Sequence, residues 1–379
     1  MKSRSSLPTG LICLLAIVGV ALSAAPAPAQ TLNQLPRRLV SDYGYWSRTA
    51  TPPYSAAQIP FQKMTHINHA GVGFAADGSL SVPDGFLEPE LLSGAHAAGV
   101  KVLLLIGGDF GGVETGGTVK TLVENLTAFA SQYGYDGFDI DWEYPATTAD
   151  RRFLVELMGL LRAANASYVL SIDAAPWGGY GYDLIHLRNS LDYFNIMMFD
   201  CAGPWTAHGQ LNSPIFWDFN NPAPYECQPG GSADGTASIF LAQVPGEQLN
   251  LGMPFYGYYY TNINQLFAQC PNSFWTDDQA CDYMVQTQNY GTFFKNIINK
   301  RGWQTFYDAN AFVPYMLKSD GSNGYITYDD AFSTYYRTVY VEAQRGFGGT
   351  FMWSLDADYD GHSQDLLDAM YQATVSVGK

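Results

Sequence analysis

The segment that decides the fold is Asp136-Gly-Phe-Asp-Ile-Asp-Trp-Glu-Tyr-Pro145. Three of its four acidic residues, Asp139, Asp141 and Glu143, alternate with three large apolar ones, Phe138, Ile140 and Trp142. A period of two predicts a β-strand with two different faces. Alternate side chains share one face and are spaced about 6.6 Å apart along the backbone. The three carboxyl groups are therefore expected on one side of a strand, where like charges favour protonation of at least one.

A carboxylic acid kept neutral near working pH is what general acid catalysis requires. Glu143 lies nearest the C-terminal end of the predicted strand, so it is the expected proton donor. The alternatives are a solvent-facing acidic strand or a calcium site. The bulky opposite face and the Tyr144-Pro145 stop favour instead a strand packed on both sides, as in a barrel whose C-terminal strand ends carry the chemistry.

Eight apolar runs with strand character recur along the chain, and segments with helical spacing such as Thr118–Gln132 and Ala149–Asn165 separate most of them. The predicted strands are Leu39–Trp46, Met64–Phe74, Val100–Gly108, Gly137–Tyr144, Tyr168–Ala175, Tyr193–Asp200, Leu249–Tyr256 and Gly349–Leu355. This order predicts an α/β fold, a (β/α)8 TIM barrel. A doubly wound sheet is the alternative, but no Gly-x-Gly-x-x-Gly occurs at the first strand–helix turn.

The segment between the seventh and eighth predicted strands is much longer than the others and rich in Tyr, Phe and Trp. Loops of this length without secondary structure are rare in compact domains. We therefore expect a small α+β insertion at about residues 258–324. Because it leaves the C-terminal end of a strand, it should form one wall of a cleft there.

The N-terminus combines Lys2 and Arg4, an apolar run from Leu11 to Ala25, and a small-residue site that ends at Ala29. This order is typical of a secretory signal peptide. We expect a signal peptide at 1–29, a linker at 30–38 and the barrel at 39–379. The mature protein is predicted to be secreted, extracellular or periplasmic, without a membrane-spanning segment or a membrane partner.

The full chain of 379 residues has a formal net charge of −16. Such acidity argues against nucleic acids and anionic lipid surfaces as partners, and a monomer acting on a neutral or cationic substrate is expected. Four cysteines follow the predicted signal peptide, and the local pairings are Cys201–Cys227 and Cys270–Cys281. Free buried thiols are the alternative, and no spacing indicates zinc.

Residues 136–143 closely resemble the signature of family 18 glycoside hydrolases, which comprise chitinases and related N-acetylglucosaminidases. Further segments resemble family elements in the family's order: Gly107-Gly108, Met197-Met-Phe-Asp200 with Gly203-Pro-Trp205, Gly252-Met-Pro-Phe-Tyr-Gly257, Tyr328-Asp-Asp330 and Phe351-Met-Trp-Ser-Leu-Asp356. Together the matches cover nearly all of the chain after the predicted signal peptide.

The resemblance implies a retaining, substrate-assisted hydrolysis of β-1,4 linkages in chitin or chitooligosaccharides, without cofactor or metal. Glu143 would be the general acid and base, and the substrate's own 2-acetamido oxygen would be the nucleophile. Asp141 would orient the acetamide N–H, and Asp139 would share a proton with Asp141. The implied partner is a polysaccharide or oligosaccharide that contains N-acetylglucosamine.

The resemblance also implies a set of substrate-binding residues. Trp353 would form the floor beneath the reacting sugar, because an aromatic plane suits the C–H-rich face of a pyranose; core packing is the alternative for a single Trp. The other expected binding residues are Asp200, Tyr144, Trp205, Tyr256, Met197, Phe199 and Gly108.

Five positions depart from the family pattern, one of which is Gly71, where a large aromatic residue is often found on the second strand. Leu105 stands where the family usually has a Ser that hydrogen-bonds Asp139, and Phe199 stands where it has a Tyr whose phenol contacts the acetamide carbonyl. Asp109 replaces a frequent Trp, and Asp173 is an unexpected carboxyl group. One lost donor commonly costs about 2.7–4 kcal/mol at a transition state.

Tyr144 or Tyr256 are candidates to supply the hydroxyl that Phe199 lacks. Two rival functions remain open: a non-catalytic, lectin-like sugar-binding barrel, and an endo-β-N-acetylglucosaminidase acting on glycoprotein glycans. Phe199 favours the first rival, whereas the intact Glu143 favours catalysis. His66 and His69 are expected to be hydrogen-bonded barrel residues rather than metal ligands.

Overall fold

The computed structural model describes residues 35–108, 110, 117–178, 181–221, 227–270, 281 and 284–379. The predicted signal peptide 1–29 and residues 30–34 of the predicted linker lie outside the described residues, as does Asp109. Within the described ranges, no helix combines the length and the apolar character needed to cross a bilayer.

Eight parallel strands close into a barrel, which confirms the predicted (β/α)8 fold. They are β1 (Arg38–Gly44), β2 (His66–Phe74), β4 (Lys101–Gly107), β5 (Gly137–Asp141), β6 (Val169–Ala174), β7 (Tyr193–Ile196), β8 (Leu249–Pro254) and β14 (Gly349–Trp353). Each strand pairs with the next, and β14 pairs with β1 to close the ring. The two-residue strand β3 (Leu80–Ser81) pairs antiparallel with the end of β2.

Helices surround the barrel: α1 (Pro89–Ala97), α2 (Gly117–Tyr133), α3 (Thr148–Ala164), α4 (Leu184–Leu187), α5 (Ala233–Leu241), α6 (Ala331–Val339) and α7 (Asp365–Val377). Helix α3 shows why these segments are helical. Thr147 and Asp150 form a reciprocal capping box at its start. Its buried side chains, Phe153, Leu154, Leu157, Met158 and Leu161, recur at the spacing of one helical face.

The period-two pattern of β5 separates two environments. Phe138 and Ile140 belong to the apolar layer between the strands and the helices, whereas Asp139 is fully buried on the opposite face, inside the barrel. The strand ends at Asp141, so the prediction that it continues to Tyr144 with Glu143 on the same strand face was wrong. The reason is that its partner β4 ends at Gly107, opposite Asp141, and no ladder remains beyond that point.

The segment between β8 and β14 forms a second sheet of five antiparallel strands, in the order β10-β9-β13-β12-β11. Their bounds are β9 (Tyr256–Tyr260), β10 (Val285–Asn289), β11 (Trp303–Tyr307), β12 (Pro314–Lys318) and β13 (Tyr325–Thr327), with a 3-10 turn at Phe294–Asn296. Because β9 follows β8 almost directly, the new sheet begins at the C-terminal end of the barrel.

Both predicted cysteine pairings are confirmed as disulfides. Cys201–Cys227 fixes the segment that follows β7, and Cys270–Cys281 closes a short loop in the insertion. The alternative of free buried thiols was wrong. Each bond constrains the chain beside the open end of the barrel, where the strands no longer hold it.

Candidate active site

A cavity of about 530 Å³ opens at the C-terminal ends of the barrel strands, the end at which barrels of this fold carry their sites. Nine of the predicted site residues line it: Asp141, Glu143, Tyr144, Met197, Phe199, Asp200, Trp205, Tyr256 and Trp353. Asp139 lies below, fully buried in the barrel. Gly108, at the end of β4, is not among the described residues of the cavity wall.

Glu143 stands at the mouth of this cavity, in the loop that follows β5. Its side chain is exposed, whereas Asp141 is only partly exposed and Asp139 is not exposed at all. The three carboxyl groups therefore form a series from solvent into the barrel. A group at the open end can exchange protons with water and reach a ligand. Asp141 also lines the cavity, whereas the fully buried Asp139 is shielded from both.

Asp139 is held by donors from two neighbouring strands. Ser171 on β6 donates its hydroxyl to Asp139 Oδ1, and Asn195 Nδ2 on β7 donates to the same oxygen at 3.2 Å. The chain of hydrogen bonds continues through Asn250 to Arg38 at the closed end of the barrel. Leu105 supplies no hydroxyl, and Ser171 takes over that contact from another strand.

Ser171 and Asn195 were not foreseen from the sequence. The available signal was weak, since Ser171 is one of two polar residues on β6, with Asp173, and Asn195 is an interior polar residue of the short strand β7. Only the closed barrel shows that both positions face Asp139. A polar residue on a strand predicted to be buried on both sides is the feature that could have identified them.

Burial raises the pKa of each carboxyl group inside the barrel. The pKa of Asp139 rises to about 6, held there by the hydrogen bonds that it accepts. The pKa of Asp141 rises to about 8 because of burial and the neighbouring Glu143 and Asp139. Burial also places the pKa values of Asp42 on β1 and Asp173 on β6 well above the ordinary range.

Across the described part of the chain, none of these four aspartates forms an ion pair. Four buried carboxyl groups without a cation cannot all be ionised, because the charged form loses its hydration and repels its neighbours. They titrate as one coupled set that holds protons near neutral pH. We name Asp42, Asp139, Asp141 and Asp173 the barrel carboxyl cluster.

Asp200 lies across the cavity in the loop after β7, with a backbone φ of 59°. Tyr256 and Tyr258 both donate their hydroxyls to its Oδ1, the latter at 2.7 Å. Its backbone N–H donates to Asn212 Oδ1 at 2.9 Å. These bonds fix the carboxyl group at the cavity wall, where it can accept a hydrogen bond from a ligand.

The hydroxyl that Phe199 lacks is not replaced by the two tyrosines considered from the sequence. The Phe199 ring packs 6.0 Å from the rings of both Tyr256 and Phe351. The hydroxyl of Tyr256 already donates to Asp200, and that of Tyr144 faces Glu143. Position 199 therefore carries an apolar ring, and neither of these two tyrosines offers it a free phenolic donor.

Aromatic rings form the walls above the carboxyl groups. Trp353 lies at the end of β14 with its ring 6.4 Å from that of Trp46, and Trp205 is 45% exposed against Tyr258. Trp46 was not singled out from the sequence. Broad apolar planes beside carboxylates match the chemistry of a sugar, with C–H-rich faces and hydroxyl edges.

The two barrel histidines are hydrogen-bonded, as expected. His66 Nδ1 lies 2.8 Å from Thr65 Oγ1, and His69 Nδ1 lies 2.8 Å from the hydroxyl of Tyr135. Burial lowers the pKa of each histidine to about 3, so both are neutral at ordinary pH. Within the described ranges, no group of three or more His, Cys, Asp or Glu side chains could hold a metal ion.

Comparison with known proteins gives consistent results. The sequence model described as Glycosyl hydrolases family 18 matches residues 38–358. The chain is 30% identical to a probable endochitinase of Caenorhabditis elegans over 63% of its length, and 26% identical to chitinase A1 of Niallia circulans over 97% of its length. It spans 40% and 63% of the lengths of these two relatives.

The fold also resembles that of solved structures. The Group IV chitinase of Ostrinia furnacalis in complex with allosamidin superposes with a TM-score of 0.76 over 90% of this chain and 99% of that one, at 20% identity. At this identity the likeness concerns the fold. It agrees with the closed barrel described above.

Proposed function

Because this chain belongs to family 18 of the glycosyl hydrolases, we propose that it cleaves β-1,4 linkages between N-acetylglucosamine units of chitin or chitooligosaccharides. The observation that carries the proposal is the placement of Glu143 at the mouth of the aromatic-walled cavity, directly above the buried pair Asp141 and Asp139. The relatives named chitinases and the structure bound to allosamidin support this substrate class.

In the first step, Glu143 donates its proton to the glycosidic oxygen while the bond from that oxygen to the anomeric carbon breaks. The acetamide oxygen of the same sugar forms the new bond to the anomeric carbon from the opposite face. The electron pair of the broken bond stays on the leaving oxygen, which keeps the proton from Glu143. The product is a cyclic oxazolinium ion and a shortened chain.

The positive charge of this intermediate develops next to Asp141. An ionised carboxylate there stabilises the cation and accepts the acetamide N–H. The proton that Asp141 holds in the empty site moves toward Asp139, whose ionised or shared state the donors Ser171 and Asn195 stabilise. The low dielectric of the barrel strengthens each of these interactions.

In the second step, water attacks the anomeric carbon and the ionised Glu143 accepts its proton. The bond to the acetamide oxygen breaks, which restores the acetamide. Two successive displacements at one carbon retain its configuration. We further propose that residues 1–29 are removed as a signal peptide and that the mature protein is secreted and monomeric.

The test compares Glu143→Gln with the wild type on a hexamer of N-acetylglucosamine. The variant keeps the shape of the site but has no proton to give, so we expect kcat to fall by at least 10³-fold, within the range that general acid–base catalysis contributes. Glu90→Gln, an exposed site on α1, is the matched control and should retain full activity. NMR of the first-formed anomer should show the β configuration.

One observation favours a second function. Phe199 removes a donor to the acetamide group, so a barrel that binds such sugars without cleaving them is the main alternative. Calorimetric titration of the wild type with the hexamer distinguishes the two. Tight binding without any turnover, or equal turnover by the wild type and Glu143→Gln, would reject the hydrolase proposal.

A further inference from the structure

The proposed acetamide mechanism requires one hydrogen-bond donor that has not yet been assigned to a residue. The acetamide carbonyl oxygen must be held beneath the anomeric carbon, and the family resemblance assigns this contact to a tyrosine hydroxyl at position 199. Here the position is Phe199, and the hydroxyls of Tyr144 and Tyr256 have other partners. If the reaction proceeds, a donor other than these hydroxyls must bind the acetamide carbonyl oxygen.

Asp173 lies between Asp141 and the segment that carries Phe199. Its strand, β6, pairs on one side with β5, where Asp173 is in register with Asp141. On the other side it pairs with β7, whose continuation starts with Met197, hydrogen-bonded to the carbonyl of Ala174, and leads to Phe199. Asp173 therefore lies in the wall between the expected acetamide N–H acceptor and the position of the missing phenol.

The side chain of Asp173 is available to a ligand. It lines the cavity although only 2% of the residue is exposed. Its Oδ1 atom is buried without a hydrogen-bond partner among the described residues. A buried polar atom without a partner is costly, and a bound group that completes its hydrogen bonding removes that cost.

Asp173 also has the protonation state that a donor requires. Burial, followed by repulsion from Asp139, Asp42 and Asp141, raises its pKa well above the ordinary range. The other groups that face it are Asn195 on β7 and the hydroxyl of Tyr182, and neither supplies a positive charge. A carboxylic acid kept neutral by an apolar site donates a hydrogen bond through its O–H.

We propose that Asp173 is the residue that binds the acetamide carbonyl oxygen of the reacting sugar, with its carboxylic O–H as donor in place of a phenol at position 199. The inference rests on the proposed function and adds a catalytic residue to it. Asp173 also hydrogen-bonds Asp139, so the contact to the acetamide uses its Oδ1, the oxygen that has no partner among the described residues.

The test measures kcat and KM of Asp173→Ala, Asp173→Asn and Asp173→Ala combined with Phe199→Tyr. Removal of the donor should lower kcat by about 10²-fold, as for other donors that act at a transition state. Asparagine keeps an N–H donor and should retain at least a tenth of the wild-type kcat. With Phe199→Tyr added, kcat should be at least tenfold higher than in Asp173→Ala alone, because the new hydroxyl supplies a donor from the segment that follows β7.

Glu342→Ala is the matched control. Glu342 is equally buried and burial raises its pKa to about 7, but it accepts hydrogen bonds from Thr350 and Thr374 and is not among the residues that line the cavity. If the effect reflected only the loss of a buried carboxyl group, the two alanine variants would lose the same activity. The proposal expects Glu342→Ala to stay within about threefold of the wild type.

Failure of the inference can be separated from failure of the proposed function. If Glu143→Gln is inactive while Asp173→Ala equals the wild type, the inference alone is rejected. If the wild type shows no turnover, Asp173→Ala is tested by binding. The Kd for a tetramer of N-acetylglucosamine is measured for Glu143→Gln with and without Asp173→Ala. A tenfold rise in Kd for Asp173→Ala supports the contact, and an unchanged Kd overturns it.

Discussion

Two groups of buried carboxylates are neutralised in opposite ways. Asp329, just after β13, pairs with Arg337 on α6, with Arg337 Nη2 at 2.8 Å from Asp329 Oδ1 and both residues almost completely buried. Ser213 and Ser333 also donate to this carboxylate. The barrel carboxyl cluster is equally buried but has no cation, so protons must neutralise it.

The difference distinguishes a carboxylate that stabilises the fold from carboxyl groups that can take part in a reaction. A buried carboxylate with a fixed guanidinium partner holds one arrangement of the chain. A buried carboxyl group neutralised by a proton can lose or move that proton when a ligand brings charge nearby. Perturbed acids without a structural partner are typical of catalytic sites, and here they lie under the cavity.

The largest effect is expected at the ion pair. Arg337→Met should lower the free energy of unfolding by about 3–5 kcal/mol, because it removes the partner of a buried carboxyl group and leaves Asp329 buried without a cation. Chemical denaturation monitored by tryptophan fluorescence measures the change. The sharper version combines Arg337→Met with Asp329→Asn, which should recover much of the loss.

The control for that loss is Arg345→Met. Arg345 pairs with Asp234 near the surface, where the two side chains are 21% and 40% exposed. An exposed pair of this kind contributes about 0–1 kcal/mol. Equal losses for Arg337→Met and Arg345→Met would break the comparison, because burial would then not distinguish the two pairs.

The barrel carboxyl cluster should make the stability of the fold depend on pH. The pKa values of Asp139 and Asp141 are raised to about 6 and about 8 in the fold, so between their unfolded value near 4 and those values the native state binds more protons than the unfolded state. Stability contributed by these groups is therefore greatest in acid and falls as pH rises toward 8. The melting temperature measured from pH 4 to pH 9 should decline over this window.

Other buried acids add to that slope, since burial also raises the pKa values of Glu342 and Asp358 to about 7. Asp141→Asn isolates the cluster. It should raise the free energy of unfolding at pH 8 by about 1–3 kcal/mol and have a much smaller effect at pH 5, while it abolishes hydrolysis. A destabilising effect at pH 8 would show that the charge of Asp141 supports the fold.

The sequence predicted the fold and the front of the site because both follow from local patterns. The alternation in β5 indicates which face is apolar, and the segment 139–143 places three carboxyl groups within five residues. The end of β5 was wrong because it depends on the length of its neighbour β4, which the segment itself does not specify.

The surroundings of the carboxyl groups could not be predicted in the same way. Ser171 and Asn195 reach Asp139 from strands that follow it by 32 and 56 positions. Arg337 was not connected with Asp329, although the Tyr328-Asp-Asp330 segment that contains Asp329 was recognised. The contacts of Ser171 and Asn195 depend on three-dimensional closure of the barrel, whereas Asp329 and Arg337 are eight positions apart, before the start and near the end of α6.

The smallest effect tests how Asp139 is held. Ser171→Ala removes one hydroxyl donor from Asp139 Oδ1 but leaves the Asn195 contact at 3.2 Å, so kcat should fall only about fivefold, equivalent to a net hydrogen bond of about 1 kcal/mol. Leu105 on β4 lies in register with Asp139 on the adjacent strand. Leu105→Ser in the Ser171→Ala background should therefore restore kcat, because a hydroxyl from the other side can reach the same carboxyl group. The contrary result would be a low kcat in Ser171→Ala that Leu105→Ser does not restore, with an unchanged melting temperature. Ser171 would then contribute to the reaction by more than its hydrogen bond to Asp139.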